Sequence, residues 1–135
     1  MTKEDRLVQI EDFSNYLQTI YEQFVPHLAR DVKITFFGFS QGCATVIRWI
    51  MKRFPKVDQI VLWGGGMPED LNYRPHTSYF KSKKIICING DRDPFIPKER
   101  IERHRIFAQE QQLDILEHSF NGKHELSSEL LQKWF

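Results

Sequence analysis

Residues 32–42 read VKITFFGFSQG, and the fold turns on how this stretch is understood. Residues 32–37 form an apolar run rich in β-branched and aromatic side chains, long enough for a buried strand. The run ends in Gly38-Phe39-Ser40-Gln41-Gly42. After it, Ala44, Ile47, Ile50, Met51 and Phe54 recur at helical spacing until Pro55 stops them. The five residues fit G-x-S-x-G set between a strand and a helix. The pattern has a steric meaning: the serine backbone is forced into a strained conformation, and small neighbours let strand and helix approach closely. The hydroxyl of Ser40 then stands clear of the turn. The amide of Gln41 points toward an incoming carbonyl oxygen, helped by the field of the helix N-terminus. Five residues alone also fit a plain structural turn; the strand–helix setting is what turns the reading toward a nucleophile.

Working outward, residues 59–63 and 84–88 and residues 113–120 read as further strands, the first closed by Gly64-Gly65-Gly66. Helices are predicted over about residues 98–111 and 125–134, while residues 67–82, with Pro68 and Pro75, read as irregular. Before the opening stretch, Leu7, Ile10, Phe13, Leu17, Ile20, Phe24 and Leu28 recur at steps of three or four, the mark of one buried helix face. Thr2 and Asp5 resemble a capping box at its start. Strands alternating with helices predict an α/β fold, a parallel sheet covered by flanking helices on both faces. At 135 residues there is room for a single domain, residues 1–135. In such sheets the loops leaving the strand carboxyl ends build the site. Ser40, Asp93 and His124 each follow a different predicted strand.

A serine hydroxyl is a poor nucleophile at neutral pH and needs a base. Of five histidines, His27 and His104 fall in predicted helices, His118 in a strand and His76 in the irregular region. For each of these a surface or hydrogen-bonded structural role is expected. His124 lies in the loop Asn121-Gly122-Lys123-His124 just after the last strand, from which a base can reach Ser40 across the strand ends. The alternative for His124 is a histidine that merely starts a helix. The loop Gly90-Asp91-Arg92-Asp93-Pro94-Phe95-Ile96-Pro97 offers two carboxylates to orient the base. Asp91 follows Gly90 directly and suits a bond to its own loop backbone. Asp93 lies further out and precedes proline, whose fixed geometry holds the carboxylate, so Asp93 is the preferred acid. A metal reading of the Asp-x-Asp pair has no further carboxylate cluster behind it. The chain order Ser40, Asp93, His124 is one in which nucleophile, acid and base are known to occur.

Charge narrows the function. With 19 basic and 18 acidic residues the formal net charge is +1, which gives no electrostatic reason to expect nucleic acid or an anionic membrane surface. Lys98, Arg100, Arg103 and Arg105 are interrupted by Glu99 and Glu102 and read as a solvated helix face. Cys43 and Cys87 form neither a disulfide framework nor a metal pattern and are expected as buried free thiols in a reducing compartment. The N-terminal residues lack the layout of a signal peptide, and no apolar run has the length of a membrane span. The expected location is cytoplasmic.

The sequence resembles the carboxylesterase and phospholipase branch of the α/β-hydrolases, which includes the acyl-protein thioesterases. GFSQG resembles that branch's nucleophile elbow, GDRDPFIP its acid loop and GKHE its histidine loop, in that order over residues 32–125. The resemblance implies an α/β-hydrolase-like fold with Ser40 as nucleophile, Asp93 as acid and His124 as base. It also implies cleavage of carboxylic esters or thioesters through an acyl-serine, with no cofactor and no metal. In that family several strands and a helix precede the segment found here, and one loop among them supplies a second oxyanion amide. Nothing before Ser40 resembles it, because residues 1–30 are spent on a helix. The expectation is therefore a partial domain lacking the first strands of the fold, in which the amide of Gln41 has no evident partner. The strand at 32–37 would be a sheet edge, open to pairing. Either the chain is part of a longer protein, or a homodimer or a partner chain covers that edge.

Phe39, Trp63, Met67, Leu71, Tyr73 and Phe95 lie at or after strand ends and are expected to wall an acyl pocket. No basic or acidic pocket is evident, which points to a small ester or thioester with a modest uncharged acyl group. The competing reading is a hydrolase-like module that keeps the three residues and binds a ligand or partner without efficient catalysis.

Overall fold

The computed structural model describes residues 1–135 throughout. Helix α1 (Lys3–Phe24) leads through a 3-10 turn at Val25–His27 to strand β1 (Thr35–Phe39) and helix α2 (Gln41–Arg53). Strand β2 (Gln59–Trp63), a second 3-10 turn (Arg74–His76), helix α3 (Thr77–Lys81) and strand β3 (Lys84–Gly90) follow. Helix α4 (Lys98–Glu110), strand β4 (Ile115–Phe120) and helix α5 (Ser128–Trp134) complete the chain. The four strands form one parallel sheet in the order β1-β2-β3-β4. The fold is thus the expected α/β-hydrolase-like one, and all four carboxyl ends lie along one rim.

Register explains where the elements depart from the sequence reading. Strand β1 starts later and ends later than the apolar run, because Thr35 pairs with Gln59 and Phe39 with Trp63. Val32 is left outside the sheet and exposed, while the amide of Ile34 donates to the Asp58 carboxylate at 2.8 Å. Strand β3 runs on to Gly90 because its last two residues find partners in Ser119 and Phe120 of β4. Residues 67–82 are not wholly irregular: they hold the second 3-10 turn and α3. Helix α5 begins only at Ser128, where the Ser127 hydroxyl caps it by accepting from the amide of Leu130.

Strand alternation splits the core in two. Ile60, Leu62, Ile85 and Cys87 pack with Cys43, Ile47 and Ile50 of α2 and Ala108 of α4 on one face. Val61, Trp63, Ile86 and Ile88 face the other way, against Phe120 and residues Leu130, Leu131 and Trp134 of α5. The second face is covered unevenly, and Phe37 and Leu116 stay exposed on it.

The capping box that starts α1 is present: Thr2 Oγ1 accepts from the Asp5 amide at 3.0 Å, and the Asp5 carboxylate accepts from the Thr2 amide at 3.3 Å. Its buried stripe is narrower than the periodicity suggested. Ile10 and Ser14 are buried, Phe13, Leu17 and Tyr21 partly so, but Leu7, Phe24 and Leu28 are exposed. The helix touches α2 and β1 over its middle, through Gln18 on the Trp49 indole, Asn15 on Arg53 and the Tyr21 ring against Phe36. The apolar side chains of the end turns, Leu7, Val8 and Phe24, stay largely in solvent.

Candidate active site

The site is assembled at the carboxyl ends of β1, β3 and β4. Ser40 occupies the turn between β1 and α2 with φ 56° and ψ −118°, a strained conformation for a residue with a side chain. Two bonds hold it there: its amide donates to the Trp63 carbonyl at 2.8 Å, and its own carbonyl accepts from the Cys43 amide at 3.1 Å. Gly38 allows the turn to be this tight, since a Cβ there would meet the Gly42 carbonyl oxygen at 2.7 Å and the Cys43 backbone at 2.8 Å. Ser40 sits at the N-cap of α2 yet caps nothing with its side chain, so the hydroxyl is free to turn outward.

It turns to His124, whose Nε2 lies 2.9 Å from Ser40 Oγ, while Nδ1 lies 2.7 Å from Asp93 Oδ2. Asp93 is 5 % exposed. An ionised carboxylate can only accept, so Nδ1 carries the proton and Nε2 offers its lone pair to the serine hydroxyl. The other Asp93 oxygen accepts from the Phe95 amide at 2.8 Å, which fixes the carboxylate plane. The imidazole is flanked by the Phe39 and Phe95 rings, with centroids 5.2 and 4.8 Å away. Gly64, at φ 66°, lies under the same ring; a Cβ there would come within 3.1 Å of it.

The acid and histidine loops are tied together by backbone. The Asp91 carboxylate accepts from the Gly122 amide at 3.1 Å, the Asp91 amide donates to the Phe120 carbonyl, and the Arg92 amide donates to the Gly122 carbonyl, both at 2.8 Å. Asp91 thus serves its loop and Asp93 the histidine, and no group of three metal-ligating side chains converges anywhere in the chain.

A cleft of about 990 Å³ opens here, large enough for a small-molecule ligand. Of the site residues singled out from sequence, Ser40, Gln41, His124, Phe39, Met67 and Phe95 all line it. Trp63 does not, and this corrects the sequence reading. Its side chain is 1 % exposed on the second face of the sheet, beside Phe120 and Trp134, and its Nε1 donates to the Glu125 carbonyl at 2.9 Å. Only the Trp63 carbonyl touches the site, so the residue supports the turn and the histidine loop instead of walling the cleft. Tyr73 is likewise core, its hydroxyl donating to the Pro68 carbonyl.

Three cleft residues carry chemistry that the sequence did not point to. Asn89 follows Cys87 on the same face of β3, His104 sits in α4, and Arg100 lies one helical turn before it. His104 Nε2 accepts from the Met67 amide at 2.9 Å, and burial holds its pKa below the ordinary 6.5. It is the satisfied structural histidine expected of it, though it faces the cleft. Burial pushes the Cys43 thiol, behind Ser40, up to about 12 and keeps it inert, with the Arg100 charge among the influences pulling the other way. Residues 1–38 contribute nothing to the cleft lining.

Fold and site together define a protein of the α/β-hydrolase type. The phospholipase/carboxylesterase family matches residues 2–134, and the chain belongs to that family. Solved structures of the same fold include an uncharacterized protein from Bacillus cereus ATCC 10987 (TM-score 0.70, 19 % identity, 92 % of this chain and 42 % of that one). Acyl-protein thioesterase 2 from Zea mays (TM-score 0.69, 14 % identity, 92 % and 62 %) and a carboxylesterase from Mesorhizobium loti (TM-score 0.64, 13 % identity, 99 % and 62 %) are similar in the same way. At these identities the likeness is one of fold. The chain spans 42–62 % of the length of these three. No curated protein matches the sequence significantly.

Proposed function

We propose that the chain is a serine hydrolase that cleaves carboxylic esters or thioesters through an acyl-serine intermediate. The observation that carries this reading is the hydrogen-bonded line from Ser40 Oγ through His124 to Asp93, at 2.9 and 2.7 Å. Membership of the phospholipase/carboxylesterase family supports it. His124 Nε2 takes the hydroxyl proton as Ser40 Oγ attacks the carbonyl carbon, and the imidazolium so formed is stabilised by the buried Asp93 carboxylate. Negative charge developing on the carbonyl oxygen is received by the Gln41 amide at the N-terminus of α2. His124 then gives its proton to the departing alkoxide or thiolate. A water enters and attacks the acyl carbon as His124 takes its proton; the bond from the acyl carbon to Ser40 Oγ then breaks, His124 returns the proton to Oγ, and the acid leaves.

Labelling with a fluorophosphonate probe tests the reading. The wild-type protein is expected to be labelled at Ser40 and the Ser40→Ala variant not at all. Absence of labelling in folded wild-type protein overturns the enzyme and leaves the second reading, a hydrolase-like module that binds a ligand or partner. One observation favours that second reading: residues 1–38 stay out of the cleft, so the turn itself brings Gln41 as the oxyanion donor and the preceding chain adds none. A missing oxyanion donor costs on the order of 10²–10³ in rate.

A further inference from the structure

We propose that the cleft selects substrates carrying a carboxylate remote from the reacting carbonyl, and that Arg100 recognises it. The proposal deepens the hydrolase reading by naming a substrate class, but the binding it describes does not depend on turnover.

Three cations and three carboxylates line the cleft: Arg48, Arg100 and Arg103 against Glu69, Asp70 and Glu117. Pairing is unequal. Asp70 accepts from Arg48 at 2.9 and 3.1 Å, and Glu69 from Arg103 at 3.3 Å. Glu117 is taken by Arg105, at 2.8 Å, which lies outside the lining. Every carboxylate of the cleft is thus paired with an arginine other than Arg100, Arg105 being shared between Glu117 and Glu102, and Arg100 is the cleft cation with no carboxylate within 4.0 Å. Its one recorded bond is a donation to the Phe95 carbonyl at 2.7 Å, leaving most of its five N–H donors free. That bond sets the guanidinium beside the residue whose ring lies on His124, 4.8 Å between centroids.

A second observation comes from another residue that lines the cleft. Asn89 Oδ1 is buried without a hydrogen-bond partner, although buried amides are almost always satisfied. That oxygen can only accept, so it calls for an N–H or O–H donor of the ligand, while the carboxylate itself is left to the N–H donors of Arg100. The donor geometry points to the group: the unpaired, planar guanidinium of Arg100 offers parallel N–H donors that a carboxylate accepts as a fork. The proposal departs from the uncharged acyl group expected from sequence: in Lys98-Arg100-Arg103-Arg105, alternate charges suggested a neutralised solvent face, and only the pairing reveals the odd arginine.

The test measures binding by calorimetry to the Ser40→Ala protein, so that nothing is consumed. One matched pair of probes carries the acid on the acyl side: the N-acetylcysteamine thioester of adipic acid and its ω-carboxamide. The other carries it on the thiol side: the butanoyl thioesters of 3-mercaptopropanoic acid and of its amide. In at least one pair the acid is expected to bind about tenfold or more tightly than the amide. The ratio should shrink as salt is raised and fall toward one in Ser40→Ala/Arg100→Gln. Equal or absent binding of acid and amide in both pairs, or a preference that survives Arg100→Gln, overturns the proposal. Wild-type turnover, assayed on both acid probes as well as on the neutral butanoyl thioester of N-acetylcysteamine, separates the two claims. Turnover without acid preference sinks the carboxylate site alone; acid preference without turnover sinks the hydrolase reading alone.

Discussion

Replacing Trp63 by Phe tests whether the residue supports the site from beneath or forms a wall of the cleft. The indole is 1 % exposed, packs against the Phe120 and Trp134 rings with centroids 5.4 and 6.1 Å away, and donates Nε1–H to the Glu125 carbonyl at 2.9 Å. Trp63→Phe keeps an aromatic ring in place but removes the donor and the volume of the fused ring. The lost hydrogen bond costs about 1–2 kcal/mol, since the Glu125 carbonyl lies near the surface where water partly replaces the donor. The unfilled volume adds about 1–2 kcal/mol, part of the full 3–5 for truncation to alanine. At roughly 4 °C per kcal/mol for a domain of this size, the melting temperature should fall by about 8–16 °C. Because Glu125 follows His124 directly, the histidine loop loosens as well. A p-nitrophenyl ester series should then show kcat reduced by a similar factor for every acyl length. Thermal unfolding and that series are the assays. An unchanged melting temperature together with a shifted acyl-length preference would refute the reasoning and return Trp63 to the cleft wall.

Other perturbations probe different links. Asp93→Asn turns an amide N–H toward His124 Nδ1 and forces the proton onto Nε2, where it blocks acceptance from Ser40. Steady-state kinetics should find kcat lower by about 10³–10⁴ with KM little changed. His104 is half-buried and desolvation holds its pKa below 6.5, so the unfolded chain takes up a proton before the folded one does. Stability should therefore be lost progressively as pH falls below about 6.5 until the folded pKa is passed. Urea unfolding at pH 7.5 and 5.5 should register a larger loss in wild type than in His104→Gln, whose amide oxygen can still accept from Met67. Strand β1 ends the sheet with an unpaired edge, and its central residue Phe37 is exposed. We propose that a second copy or a partner chain covers this edge. Light scattering at micromolar concentration should find the 135-residue chain associating, and less so after Phe37→Lys; a well-folded monomer throughout contradicts this.

How much was legible followed from how local each constraint is. A nucleophile on a sharp turn needs glycine where strand meets helix, so Gly38 and Ser40 announce themselves in eleven residues of sequence. The positions of Asp93 and His124 were readable because each follows a strand of a parallel sheet, and parallel strands bring their carboxyl ends to one rim. The facing of Trp63 was not readable. β2 is apolar on both faces, so its pattern carries no parity signal, and the register that puts Trp63 with Val61 on the α5 side is a long-range fact. The ends of α1 failed for a related reason. Leu7 and Phe24 keep the helical period, but period does not tell where a neighbouring element begins and ends. Arg100 was hidden most completely, since a free cation is recognised only after each neighbouring carboxylate has been matched to another arginine. Glu69, Asp70 and Glu117 find theirs across 34, 22 and 12 positions of chain.

The central claim is that Ser40 forms a covalent acyl intermediate. The most direct measurement is the intact mass of the protein, quenched in acid within the first turnover of a p-nitrophenyl ester. The account predicts wild-type protein heavier by the mass of one acyl group, carried on the peptide that contains Ser40, with accumulation increased in slow-deacylating variants and absent in Ser40→Ala. Ester hydrolysis that proceeds with no acyl adduct on Ser40, or an adduct that persists in Ser40→Ala, would contradict it.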